Sequence, residues 1–223
     1  MQSTICQAAP PPWSSRHGQA AMVEPPWLTS TVADDLPVVS FASPAAWETW
    51  LTDNHASSAG LWLKIAKKDA AAQTVSYAEA LEVALCFGWI DGRKGAHDEV
   101  HWLQRFTPRT QRSKWSKINR DKAQALIAAG RMHRAGLREV ELAQADGRWD
   151  AAYEGQRSST VPPDLAQALA ENDTALAFFG TLSGANRYAI LYRIGDAKRP
   201  ETRARRIATY VAMLADHKTF HPQ

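Results

Sequence analysis

Ser76-Tyr77-Ala78-Glu79-Ala80-Leu81-Glu82-Val83-Ala84-Leu85-Cys86-Phe87-Gly88-Trp89-Ile90-Asp91-Gly92 changes its periodicity halfway along. Its first four residues form a capping box, in which the Ser76 hydroxyl and the Glu79 carboxylate satisfy backbone amides that a helix's first turn leaves open. Tyr77, Leu81, Ala84 and Leu85 then fall at i, i+4, i+7 and i+8, one face of a helix. Gly88 stands where a left-handed C-terminal cap is expected. Beyond it Trp89-Ile90-Asp91-Gly92 reads as a strand. A helix that turns on one glycine into a strand is the first element of an expected α+β fold.

Working outward from this stretch, His101 to Phe106 reads as a second strand, joined to the first through the polar region around Gly95 and Asp98. Upstream, Leu61, Leu63 and Ile65 alternate with Trp62, Lys64 and Ala66, the period-two signature of a strand with one buried face. Val38 to Phe41 is a short strand, followed by Ser43 as N-cap and Pro44 at the first helical position. Trp47, Trp50 and Leu51 form the buried side of that helix, and the Ala70 to Thr74 stretch is a loop. The expectation is a small, mainly antiparallel or mixed sheet with helices.

After Pro108 the pattern becomes helical. Ala123, Leu126 and Ile127 share one face and Gly130 stops that helix; Leu137 and Val140 belong to the next, which ends at Gly147-Arg148-Trp149. A Ser-rich linker from Gly155 to Val161 leads into Pro162-Pro163-Asp164 and an all-helical module beginning with Leu165 and Leu169. Its last helix opens after Pro200, with Ile207, Tyr210, Val211 and Leu214 on one side. Residues 1–36, rich in Pro and Ser without apolar periodicity, read as a flexible arm in which Met22 is an alternative start. The organisation expected is therefore an arm over 1–36, an α+β domain over 37–155 and a helical module over 156–223.

Composition bounds the function. With 45% hydrophobic residues and nine tryptophans the chain has ample material for a core, which excludes disorder throughout. Cys6 and Cys86 are too few for a disulfide framework and suit a reducing compartment. No run approaches the eighteen apolar residues of a membrane span, and no basic and apolar leader opens the chain, so a cytoplasmic location is expected. There is no metal-ligand spacing and no cofactor motif. His97 and His101 are four apart, but on a loop and a strand, where that spacing does not bring them together.

The net charge of +3 is unevenly spread. Gln104 to Lys122 carries seven basic residues (Arg105, Arg109, Arg112, Lys114, Lys117, Arg120 and Lys122) against Asp121, a local +6 that leaves −3 for the rest. Lys198 to Arg206 adds five basic residues against Glu201, a local +4 that leaves −7 outside both runs. Such asymmetry is an argument about partners, and it points to anions.

Several strings are too particular for general propensity: Ala84 to Gly92 as quoted, Arg105-Phe106-Thr107-Pro108-Arg109, Ser113-Lys114-Trp115-Ser116-Lys117-Ile118-Asn119, Gly147-Arg148-Trp149-Asp150-Ala151-Ala152-Tyr153, and Ala197 to Ile207. Together they resemble the YdeI/OmpD-associated family of bacterial proteins, whose C-terminal module is called the bacteriocin-protection (OmdA-like) domain. The resemblance covers roughly residues 40 to 217 and omits the arm. It implies a bacterial, intracellular protein linked to stress or antimicrobial-peptide tolerance, and it brings no catalytic residues with it.

The residues themselves favour binding over catalysis. Arg105, Arg109, Ser113, Lys114, Trp115 and Asn119 combine guanidinium groups, hydroxyls and a helix start, the chemistry that holds a phosphate or carboxylate on a basic, Trp-bearing surface. Trp115 either stacks on a ligand ring or receives an arginine in a cation-π contact. The competing reading is a solvated charged face with Trp115 in the core. Asp91 and Arg93 are secondary candidates, with a structural salt bridge as the simpler role. Arg203 and Arg206 are further candidates for an acidic partner, although pairing with carboxylates such as Glu201 or Asp196 is the safer expectation. An anionic small molecule or acidic partner thus leads. A nucleic acid on the same surface is the alternative, without any standard motif to support it. An enzyme using Cys86 comes last, because the end of a helix disfavours a thiolate and a buried structural cysteine fits better. The oligomeric state is not set by any of these features.

Overall fold

The computed structural model describes residues 36–222. The arm expected over 1–36, with Cys6 and Met22, lies outside the described residues apart from Leu36.

The capping box forms as the sequence requires: the Ser76 hydroxyl accepts from the Glu79 amide, and the Glu79 carboxylate accepts from the Ser76 amide. It opens α2 (Tyr77–Cys86), whose Ala80, Leu81, Val83, Ala84, Leu85 and Cys86 are all buried. Gly88 follows with φ +74°, the left-handed conformation that a Cβ would strain. The chain then turns into β3 (Trp89–Ala96), longer than the sequence suggested because Gly95 lies within the strand. β4 (His101–Pro108) pairs with it antiparallel.

Four strands form one mixed sheet in the order β1-β2-β4-β3, with β1 (Val38–Val39) parallel to β2 (Leu61–Ala66) and β2 antiparallel to β4. Between Asp91 and Lys94 the register shifts by one residue, a bulge in β3. The side chain of Gln104 fills it, its amide donating to the Gly92 carbonyl at 2.8 Å.

One face of the sheet carries Leu61, Leu63, Ile65, Gln104 and Phe106 and is covered by α2 and by α1 (Pro44–Asn54), which Ser43 caps and Pro44 begins. At its centre Trp47 stacks on Trp50 and meets Trp89 edge-on, and its indole donates to the Ala80 carbonyl at 3.1 Å. The expected single buried face of β2 is incomplete as a description. Trp62, on the other face, is also buried, with the Arg93 guanidinium 5.3 Å from its ring centroid.

α3 (Lys117–Ala128) and α4 (Arg134–Ala145) complete this part. Ala123 and Leu126 of α3 are buried as expected, but Ile127 is 38% exposed, because the contact face of this short helix is narrower than the apolar triplet suggests. α4 reaches α2 through Gly136, where an added Cβ would stand 2.2 Å from the Cys86 carbonyl oxygen. That close approach locks the start of α4 against the end of α2.

A second hydrophobic cluster belongs to α5 (Pro163–Ala170), α6 (Asp173–Thr181), α7 (Gly184–Gly195) and α8 (Pro200–Ala215), with Leu165, Leu169, Ile190, Ile194 and Leu214 at its heart. Among the described residues no helix is long and apolar enough to cross a membrane.

Candidate functional site

The basic segment does not fold into one cationic surface. Arg105 pairs with Trp62 across β4 and β2, while Phe106 pairs with Leu61 and Asp91. Residues paired across strands share a face and neighbours along a strand alternate, so Arg105 projects from the opposite face of the sheet to Phe106 and Asp91. Four of the other cations are matched by carboxylates: Lys117 with Glu154 at 2.8 Å, Lys122 with Glu82 at 3.2 Å, Arg120 with Asp121 at 3.2 Å, and Lys114 with Asp196. Asp121 is already counted in the local +6, so the three carboxylates from outside the run, Glu154, Glu82 and Asp196, bring it to about +3 in space.

Arg109 and Trp115, which the binding reading placed on the surface, are inside, and for Trp115 this is the core position of the competing reading. Arg109 is 6% exposed and Trp115 2%. Their contact is the cation-π alternative, with the guanidinium carbon 3.5 Å from the indole centroid. The loop between them is tightly tied. The Arg109 amide donates to the Gly88 carbonyl at 2.9 Å, the Ser113 hydroxyl accepts from the Thr110 amide at 3.0 Å, and Arg109 Nη1 donates to the Lys114 carbonyl at 3.3 Å. Arg148 holds the adjacent carbonyl, its Nη1 donating to the Ser113 oxygen at 3.0 Å while Nε is bound by Asp146. Trp149, next along the chain, meets Trp115 edge-on with centroids 4.9 Å apart.

Two guanidinium groups thus grip consecutive carbonyls of one loop. Nε and Nη2 of Arg109, Nη2 of Arg148 and Nε1 of Trp115 are buried and make no hydrogen bond to protein. An unmade bond by a buried polar donor costs about 1–3 kcal/mol. Burial pulls the Arg109 pKa down to about 10, against the attraction of Asp91 and Glu139, so the group remains cationic at neutral pH.

Asp91 and Asn119 do come together. The Asp91 carboxylate accepts from the Tyr77 hydroxyl at 2.8 Å and from the Asn119 amide at 3.5 Å. Burial and the neighbouring Asp91 charge push the Tyr77 hydroxyl well above its ordinary pKa, so it stays a donor. Arg93 is apart from this group, over Trp62. Arg203 and Arg206 are anchored within the helical module. Arg203 pairs with Asp164 at 2.5 and 2.8 Å, not with Glu201 or Asp196, and donates to the Ile194 carbonyl at 3.1 Å; Arg206 donates to the Arg193 carbonyl. Cys86 is buried and its thiol is raised by that burial, the state of a structural cysteine. His101 faces Asp98 at 3.1 Å, and among the described residues no group of three or more His, Cys, Asp or Glu could hold a metal ion.

Two clefts adjoin these residues. One, of about 520 Å³, lies between the sheet-containing part and the helical module and is bordered by Lys114, Lys117, Tyr153, Tyr188 and Tyr192. Its cations are the paired ones just described. The other, of about 660 Å³, is bordered by the Pro108–Gln111 loop, by Phe87 and His55, and by the first turns of α4 with His133, Arg134, Arg138 and Glu139. Arg134 and Arg138 are exposed, and neither makes an ion pair with a described carboxylate. Neither was singled out by its sequence, though their spacing of four on α4 was the available signal. Arg148 was equally hidden, as part of a recognisable string whose side chain had no assigned role.

A mixed sheet with helices on one face, joined to a four-helix module, defines an α+β protein. Comparison with known families places the module. Residues 158–217, within the C-terminal module, match the family described as Bacteriocin-protection, YdeI or OmpD-Associated. Residues 39–139 match a separate model, Domain of unknown function (DUF8412), which takes in the strings at 84–92, 105–109 and 113–119. The family match is therefore shorter than the resemblance over residues 40 to 217 suggested. No curated protein and no solved structure matches the chain.

Proposed function

We propose that this chain is a cytoplasmic protein of the bacteriocin-protection type that works by binding an anionic small molecule beside Arg109. The family of the C-terminal module supports the protective role. The observation that carries the binding role is the Arg109 guanidinium, buried and stacked on Trp115 with two unpartnered donors, with a third donor on Arg148 close by. An oxyanion supplies the acceptors these donors lack, and charge-assisted bonds to guanidinium are the strong ones. The paired state of Lys114, Lys117, Arg120 and Lys122 favours a small ligand over an extended polyanion, which needs a run of free cations.

The test is a crystal structure grown from sulfate or phosphate, together with a thermal-shift screen of small anions. The expected result is an ordered anion within hydrogen-bond reach of Arg109 or Arg148 and a raised melting temperature. Ordered water on every one of these donors, with no stabilisation by any anion, would remove the reading.

A further inference from the structure

We infer that the cleft between the sheet-containing part and the helical module is a binding site for a small organic ammonium compound, a quaternary or primary amine cation with short apolar substituents. This site is separate from the anion site proposed beside Arg109. Its volume of about 520 Å³ is that of an ordinary small-molecule site.

Charge decides against an anion in this cleft. Three cations border it, Lys114, Lys117 and Arg203, and each is bonded to a carboxylate: Lys114 to Asp196, Lys117 to Glu154 at 2.8 Å and Arg203 to Asp164 at 2.8 Å. Asp150, also at the border, is exposed and makes no hydrogen bond or ion pair with a described residue. The one charge left uncompensated among these groups is therefore negative. An anion has to displace a carboxylate from its lysine, whereas a cation meets Asp150 directly.

The rings supply the second, independent observation. Tyr188 and Tyr192 stand four residues apart on α7 and share a face. Tyr153, from the string that follows α4, meets Tyr192 edge-on with centroids 5.2 Å apart, and Tyr188 lies 5.9 Å from Tyr192 at an angle of 46°. The three rings thus meet as a corner and not as a stack, and all three are partly exposed at the border of the cleft. The negative face of an aromatic ring attracts an ammonium group, and clustered rings are the surface on which quaternary ammonium is held.

This corner is fixed before a ligand arrives. The Tyr188 hydroxyl donates to the Glu154 carbonyl at 3.0 Å, and the Tyr192 hydroxyl accepts from Lys114 Nζ at 3.3 Å. The Tyr153 backbone is tied to Trp115 and Lys117 at 3.0 and 2.8 Å. Rings already in place lose little freedom on binding. Burial pushes the Tyr188 hydroxyl up to about 12 and raises that of Tyr153, so both stay neutral. The Tyr153 hydroxyl has no partner among the described residues and is open to a polar substituent of the ligand.

The experiment is isothermal titration calorimetry of the full chain with choline and with dimethylbutanol, its uncharged analogue in which a tert-butyl group replaces the trimethylammonium group. Choline is expected to bind about tenfold or more tighter than the alcohol. Asp150→Asn, with an unchanged melting curve, is expected to weaken choline about threefold, the effect of a partly screened charge. Tyr192→Leu is expected to weaken it about tenfold, and Tyr192→Phe, which restores the ring without the hydroxyl, to recover binding. Equal affinity for choline and the alcohol, or no binding of choline, overturns the inference. Undiminished binding by Asp150→Asn, or by a folded Tyr192→Leu, overturns the cleft as its place. If Tyr192→Leu does not fold, Asp150→Asn decides alone. The anion screen at Arg109 is untouched by any of these results.

Discussion

The guanidinium of Arg109 lies 3.5 Å from the centroid of the Trp115 indole, inside the protein and not on its surface. A desolvated cation-π contact and a charge-assisted bond to the Lys114 carbonyl together favour the folded state, while desolvation and two unmade donors oppose it. Arg109→Ala is therefore expected to destabilise the unliganded protein by a net ~2 kcal/mol. Urea denaturation measures this. Arg105→Ala, on the opposite face of the sheet, is expected to cost ~1 kcal/mol or less and to leave phosphate affinity unchanged. Equal losses in the two variants would contradict the placement described.

Gly136 permits α4 to approach the Cys86 carbonyl, and a methyl group there would stand 2.2 Å from that oxygen. Gly136→Ala improves helix propensity by roughly 1 kcal/mol but forces the two helices apart. The clash is expected to win, with a net loss of ~2 kcal/mol or more on the scale of overpacked cores. A variant as stable as the parent would show that α4 can shift freely.

Cys86 is buried, and burial raises its thiol above the ordinary range, so little thiolate forms at neutral pH. A maleimide probe is expected to leave Cys86 unmodified in the folded protein and to label it in denaturant, with peptide mass mapping to distinguish it from Cys6. Rapid labelling of Cys86 under native conditions would reopen a reactive role for this thiol.

Arg203 bonds the Asp164 carboxylate and holds it below its usual pKa, tying α8 to α5. A carboxylate depressed in the folded state contributes stability that is complete above its unfolded pKa of about 3.9 and is lost as pH falls through its lower folded value. Asp164→Asn is expected to lower the melting temperature at pH 7, by an amount that shrinks as the pH falls below about 4. Both groups are partly exposed, so added salt is expected to reduce the difference at pH 7. A difference that stays constant from pH 7 to below pH 3 would show that the pair contributes nothing through charge.

The capping box offers a local test. Ser76→Ala removes the acceptor for the Glu79 amide, and a loss of about 1 kcal/mol is expected from chemical denaturation. No loss would mean that α2 draws its start from packing alone.

What the sequence determined by itself is local. Ser76 and Glu79 specify a helix start through bonds spanning three residues, Gly88 specifies a left-handed turn, and Pro44 and Pro200 mark first helical turns, all visible in the chain because the interacting groups are neighbours in it. The alternation of Leu61, Leu63 and Ile65 likewise marked a buried strand face. Charge was legible only as a count. Lys114 finds Asp196 across 82 residues, Lys117 finds Glu154 across 37 and Lys122 finds Glu82 across 40, so a run that sums to +6 along the chain is about half offset in space. Electrostatic energy depends on distance in three dimensions, and loop closure at these separations carries no mark in neighbouring residues. Burial of Arg109 against Trp115 and the approach of α4 to α2 at Gly136 likewise exist only once the sheet and its helices have packed.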